Sequence, residues 1–276
     1  MKENGPLPRE AAAPVITLLT DFGLRDGYVG AMKGVITRIA PEARLVDITH
    51  EIAPHDIRHG GLVWSQAVRY FPAGTIHVAV VDPGVGSRRK IVAFDALGSV
   101  FLAPDNGIIG HVLERREVRR AVEVRRREHF LPEVSATFHG RDVFAPVAAR
   151  LARGLPLEAL GPRCRSYQVL RLPRPRLRSV AWKGRRAVEA RGVVIHIDCF
   201  GNVVTNLVAP PGRTLRDLRA GRLRLAGLVR AYSDVAAGRP LALIGSTGRV
   251  ELSVNQGRAA SLLGIALGDP VVGTWA

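Results

Sequence analysis

The segment VDPGVGSRR, residues 81–89, sets a carboxylate, Asp82, beside a rigid proline, two glycines and an arginine pair. A carboxylate at a strand end beside such a loop and an arginine pair fits a phosphate cradle, a turn or half of a catalytic site. A glycine-rich loop after a strand also suits phosphate, whose oxygens approach bare backbone amides. Here no third glycine follows, no G-K-[ST] is present, and KIVAF (90–94) reads as another strand. A tight Pro-Gly turn accounts for Gly84 and Gly86 better than a phosphate cradle does.

Three more stretches carry groups with chemistry. HEIAPHDIRH, 50–59, holds three histidines with Glu51 and Asp56, and His55 and His59 have the i,i+4 spacing of metal ligands. Pro54 delays any regular helix to His55, and Asp56 serves as its N-cap, so no metal is expected. TFHGRD, 137–142, puts His139 at the start of a helix. There the helix dipole favours a neutral imidazole, able to relay protons or orient water. The same residue also reads as an ordinary surface histidine. IDCFGNVVTN, 197–206, brings Asp198, Phe200 and Asn202 to a strand end. A ring beside an amide suits a planar heterocycle, and suits a hairpin turn at Gly201-Asn202 equally well.

The elements that must position these residues follow from periodicity. VITLLT (15–20) reads as a buried strand ending at Asp21, and YVGAMKGVITRIA (28–40) as a helix that stops before Pro41. ARLVDIT (43–49) and TIHVAVVD (75–82) read as strands, with a helix between them over 59–71. Residues 90–107 read as a strand hairpin followed by a loop, and 140–154 as a helix stopped by Gly154. Strand–helix alternation implies a mainly parallel sheet with crossover helices. Ligands bind beyond the carboxyl ends of such strands, and Asp21, Asp47 and Asp82 stand at or near those ends. The proline-punctuated RLPRPRLRS (171–179) reads as a linker. GVVIHID, NVVTNLV, RLRLAGLVRAY, PLALIGS, RVELSVN and DPVVGTW then predict a small antiparallel β domain. The expected divisions are a disordered lead (1–13), an α/β domain (14–168), a linker (169–186) and a β domain (187–276).

Composition narrows the class. No apolar run is long enough to span a bilayer, and MKENGPLPREAAAP lacks the apolar region of a signal peptide. Two cysteines, Cys164 and Cys199, make no disulfide framework and fit a reducing cytoplasm. The net charge of +16 invites a nucleic-acid reading. But only four of forty basic residues are lysine, so the bias is toward arginine along the whole chain. The basic runs 114–120, 123–129 and 171–179 contain no aromatic residue to stack on bases. Solvated surface is the simpler account of them.

ITLLTDFGLRDGYVGAMKGVI, VDPGVGS, APDNG, FHGRDVFAP and IDCFGN with TN soon after occur in that order. Together they resemble the S-adenosylmethionine (SAM) hydroxide adenosyltransferases, adenosine-forming SAM hydrolases related to the SAM-dependent fluorinase and chlorinase. The resemblance implies an N-terminal α/β domain and a C-terminal antiparallel β-barrel-like domain. It implies a homotrimer whose active site joins neighbouring subunits, with SAM as substrate and no cofactor. The implied reaction is SAM plus water giving adenosine and L-methionine. Asp82, Arg89 and His139 match the set around the attacking water, although Arg88 is adjacent and the match could slip to it. Asp21 is implied at the ribose hydroxyls, with Asp26 as a further candidate, and Asp198 at the methionine amino group. Phe200, Asn202 and Tyr232 are implied at adenine, and Ser246, Glu251, Val254 and Asn255 in the remaining contacts.

Two departures stand out. The halogenases place an arginine on the methionine carboxylate after the serine matching Ser246, where this chain has Thr247. His55 falls where the fluorinase has an aromatic wall. The halogenases also carry an uncharged residue in place of Asp82, whose charge would repel halide. A hydrolase is therefore expected. A SAM halogenase and a non-catalytic SAM- or adenosine-binding module are the alternatives.

Overall fold

A computed structural model describes residues 13–112 and 118–276. The chain divides into two compact units at Arg171/Leu172. Nearly all of the expected lead (1–13), and most of the basic run 114–120, lie outside the described residues.

The first unit runs β1 (Val15–Thr20), α1 (Tyr28–Ile39), β2 (Arg44–Thr49), α2 (Ile57–Ala67), β3 (Ile76–Val80), β4 (Ile91–Ala96), β5 (Ser99–Pro104), β6 (Arg120–Glu123) and α3 (Ala145–Ala152). Its sheet has the order β2-β1-β3-β5-β4-β6. The first four of these strands are parallel, and β4 is antiparallel to both its neighbours. The strands read as unbroken apolar runs because both faces are covered. Ile16, Leu18, Val78 and Val80 pack with Met32 of α1 and Val147 of α3 on one face. Leu19, Ala79 and Val81 pack with Trp64 of α2 on the other.

The chain leaves β1 toward β2 on one side and returns to β3 on the other. The switch point therefore lies between β1 and β3, where ligands bind in open sheets. Asp21 follows β1 directly, and Asp82 lies two residues beyond β3.

Several boundaries differ from expectation for local reasons. The helix expected over 59–71 starts at Ile57, because Asp56 caps it by accepting from His59 N–H at 2.9 Å. Its expected last turn, Val68–Tyr70, is 3-10. The helix expected from residue 140 opens with a π turn, Gly140–Phe144, before α3. Strand β6 emerges from a stretch whose arginines had suggested mere surface. Ala121 and Val122 are buried while Arg120 faces out.

The second unit runs β7 (Arg176–Trp182), β8 (Arg185–Ile197), β9 (Val203–Thr205), β10 (Leu215–Ala220), β11 (Leu223–Leu225), β12 (Pro240–Ile244), β13 (Val250–Val254), α4 (Ala259–Leu263) and β14 (Pro270–Trp275). Its strands form one antiparallel, barrel-like sheet in the order β11-β10-β14-β8-β9-β13-β12, with β7 paired to β8. Val203, Leu218, Leu252 and Trp275 lie in its core.

The segment expected as a linker, 169–186, instead contains β7. Pro173 and Pro175 punctuate only its start. Lys183 and Gly184, both with positive φ, then form a two-residue hairpin turn into β8. Strand β10 was not expected. The strand read in RLRLAGLVRAY shrinks to Leu223–Leu225. Among the described residues, no helix is long and apolar enough to cross a membrane.

Candidate active site

The loop after β3 spends its amides on itself. Val85 N–H donates to Asp82 O and Ser87 N–H to Gly84 O, while the Ser87 hydroxyl both donates to Gly84 O and accepts from Arg89 N–H. The loop is thus a run of turns, with the amides of Val85, Ser87 and Arg89 bonded within it. Gly86 has φ +78° and packs on the Ala136 carbonyl, where a Cβ would collide. That close approach seats the loop against the segment carrying His139.

The turns aim Arg89 back at Asp82. Arg89 Nε donates to Asp82 Oδ1 at 2.8 Å, and Nη2 donates to Oδ2. The same Nη2 lies 3.0 Å from His139 Nδ1. A guanidinium only donates, so Nδ1 accepts and a neutral ring carries its proton on Nε2. Both side chains of the ion pair are buried, at 9% and 4% exposure. Burial pushes the His139 pKa below the ordinary value, and the Arg89 charge adds to that, against smaller opposing effects of Asp82 and Asp142. Arg88 is exposed, so the structure brings Arg89 rather than Arg88 to Asp82 and His139.

Asp82 and His139 line a cavity of about 290 Å³ together with Asp21, Tyr28, His55 and Phe138. Gly140 permits its closeness, since a Cβ there would meet Met32 and Phe22 at 3.1 Å. Phe22, Tyr28 and Phe138 form a mutually tilted aromatic cluster, with Tyr28 and Phe138 centroids 5.1 Å apart. The Asp21 carboxylate is 8% exposed and accepts from His55 N–H at 2.8 Å. His55 itself has φ +68° and an exposed ring. Asp26 is exposed in the turn before α1 and does not line this cavity.

Beneath Asp21 lies a chain of polar contacts that the sequence did not signal. Thr20 Oγ1 accepts from Phe22 N–H and bonds His50 Nδ1 at 2.8 Å. His50 Nε2 meets Asp47 at 3.1 Å, and Lys33 donates to Asp47 at 2.6 Å. Burial raises the Asp47 pKa, but hydrogen bonds from Lys33 and His50 outweigh it, leaving the carboxyl below its ordinary range. Of the histidines weighed as metal ligands, His50 is therefore buried in this chain, while His55 is exposed and His59 sits in α2.

The second unit holds a groove of about 990 Å³. All eight residues expected to bind there line it: Asp198, Phe200, Asn202, Tyr232, Ser246, Glu251, Val254 and Asn255. Asp198 closes a turn after β8. Its Oδ1 accepts from the N–H groups of Phe200 and Asn202, and its Oδ2 from the Asn202 side chain at 2.9 Å. Phe200 is 72% exposed, an apolar ring offered to the groove. Glu251 is buried, and its Oε1 accepts from Tyr232 O–H at 2.8 Å and Ser253 O–H at 2.9 Å. Burial, the bond to Glu251 and the charges of Glu251 and Asp198 push the Tyr232 pKa up to about 12, so it remains a phenol. Glu251 is thereby the support of Tyr232. Arg230 and Arg258 also line the groove and were not expected. Among forty basic residues, no local pattern singles them out.

These features can be set beside known proteins. Residues 16–161 match the family model of the SAM hydroxide adenosyltransferase N-terminal domain, and residues 192–272 that of its C-terminal domain. The chain is 44% identical to the (R)-S-adenosyl-L-methionine hydrolase of Salinispora tropica, covering 94% of this chain and 97% of that one. It is 28% identical to a fluorinase of an Actinoplanes species, over 70% and 72% of the two chains. A solved structure, an uncharacterized conserved protein from Thermotoga maritima, superposes with a TM-score of 0.83 at 38% identity, covering 94% of this chain and 99% of that one. The chain belongs to the SAM hydroxide adenosyltransferase family.

Proposed function

We propose that the protein hydrolyses SAM to adenosine and L-methionine. The observation that carries this reading is the buried Asp82–Arg89 pair bonded onward to His139 in the wall of a cavity. Water attacks ribose C5′ in line with the sulfonium. The O–C5′ bond forms, and the C5′–S bond breaks with its electrons passing to sulfur. Neutral thioether leaves unprotonated, so no general acid is required. The water must instead gain hydroxide character. Arg89 favours that anion electrostatically, while Asp82 and His139 orient the water and take or relay its proton. Charge is lost as hydroxide meets sulfonium, so an enclosed site favours the reaction. The Asp82 carboxylate repels halide, which supports hydrolysis over halogenation.

The binding residues divide the substrate between them. Asp21 takes the ribose hydroxyls. In the groove, Phe200 and Tyr232 frame adenine. The Asn202 amide nitrogen is committed to Asp198, which leaves its oxygen to accept from the adenine amine. Asp198 meets the methionine amino group. The reaction uses no cofactor, since SAM supplies the activated carbon. The assembly is a homotrimer in which the cavity of one subunit and the groove of its neighbour serve the same substrate, as the family resemblance implies.

The test is chromatography of purified protein incubated with SAM, with and without chloride. Adenosine and methionine should appear in equal amounts and be lost by at least about 100-fold in Asp82→Asn. A 5′-halo-adenosine would move the protein to the halogenases, and bound but unconverted SAM would leave a binding module.

A further inference from the structure

The methionine end of SAM carries a carboxylate beside its amino group, and such a zwitterion needs an anion and a cation held a few ångströms apart. Asp198 provides the anion. Thr247 follows Ser246, so the position after that serine provides no cation. Among the described residues lining the groove, the basic ones are Arg230 and Arg258.

The two differ in how they are held. Among the described residues, no hydrogen bond or ion pair holds the Arg230 side chain, and its backbone N–H is tied to Asp234. Arg258 is anchored to the very turn that carries Asp198. Its Nη1 donates to Cys199 O at 2.9 Å, one residue along. Its stem lies on Gly201, where an added Cβ would sit 2.9 Å from the Arg258 Cβ. Gly201 also has φ +85°, so this approach depends on glycine twice over. One N–H of the guanidinium is spent on the carbonyl, and the rest of its fork stays available for a charge-assisted pair with a carboxylate. Anchoring also removes most of the entropy cost of ordering an arginine when ligand arrives.

We propose that Arg258 binds the carboxylate of the methionine moiety, and so makes the enzyme specific for SAM over sulfonium analogues that lack it. This rests on the hydrolase reading of the same groove. Arg258 takes no part in the bond-breaking step, so its contribution appears in substrate binding. It stands across a turn from Asp198, and together the two match the charge pattern of an α-amino acid.

The experiment compares wild type, Arg258→Ala, Arg258→Lys and Arg230→Ala with SAM and with decarboxylated SAM. Arg258→Ala should raise KM for SAM about 10- to 100-fold with kcat within a few-fold, and leave KM for decarboxylated SAM unchanged. Arg258→Lys keeps the stem on Gly201 and should recover part of the loss. Arg230→Ala should lack the selective loss, changing KM for SAM and for decarboxylated SAM by the same factor. The proposal is overturned if Arg258→Ala affects both ligands equally or neither, or if Arg230→Ala shows the selective loss. If wild type releases no adenosine, the hydrolase reading fails. Calorimetric Kd values for the same proteins and ligands then decide the Arg258 assignment by the same pattern.

Discussion

At the scale of single residues, the site is organised around one guanidinium with two neighbours. Arg89 neutralises Asp82 and, through Nη2, dictates which nitrogen of His139 carries a proton. Protonating His139 would break that bond and set two cations side by side in a half-buried place. This is why its pKa falls below 6.5, with burial the larger cause and Arg89 the next. In the proposed mechanism the neutral ring is the working form, so activity should be level above that pKa and fall about tenfold per unit below it. The acid limb of kcat should therefore have its midpoint below pH 6.5. His139→Asn should retain a low residual rate without that limb. A midpoint at or above 6.5, or a limb unchanged in His139→Asn, would detach this histidine from the chemistry.

At the scale of elements, the candidate site residues Asp21 and Asp82 depend on the pairing of β1 with β3. That pairing sets Thr17 directly opposite His77. The two side chains share a 2.8 Å hydrogen bond inside the sheet, and His77 packs against Phe71 and Phe101. Burial lowers the His77 pKa to about 4 from 6.5. The unfolded chain then binds a proton that the folded one refuses. The contribution of His77 is intact above pH 6.5 and is lost as pH falls toward 4. The full loss is about 3 kcal/mol, from roughly 1.4 kcal/mol per unit. Urea midpoints measured from pH 7 to 4 should fall in that window. His77→Gln, which can still bond Thr17 but cannot titrate, should flatten the slope. An equal slope in both proteins would assign the acid sensitivity elsewhere.

At the scale of the whole molecule, the candidate groups divide between two units, each complete in itself as a fold. The first holds the groups proposed to activate water, and the second holds the groove proposed to take the heterocycle and the amino acid. In the proposed trimer these functions come from neighbouring subunits. Asp82→Asn and Asn202→Ala should then be nearly inactive alone. Mixed by denaturation and refolding, they should regain activity, because some sites receive an intact half from each variant. Light scattering should give three times the 29.8 kDa chain mass. Inactive mixtures of a confirmed trimer would place both halves of each site in one subunit.

The sequence by itself determined the candidate positions for chemistry and the class of the fold. Carboxylates after apolar runs predict strand-end ligands, because strand period and burial are written in local composition. All eight groove residues implied by the family resemblance line one groove. Arginine-rich strands were less legible. In β6, β7 and β10 the outward arginines obscure the alternation that pairing reveals, and the prolines before β7 made it look like a linker. Only the tertiary structure showed that Arg89, and not Arg88, meets Asp82 and His139. The two are adjacent and alike, and turns seated on Ala136 point one inward and leave the other in solvent. Tertiary structure also decided that Glu251 supports Tyr232, and that Arg258 lies on the turn of Asp198. Such facts depend on which distant backbones meet, and the spacing of residues along one chain does not encode them.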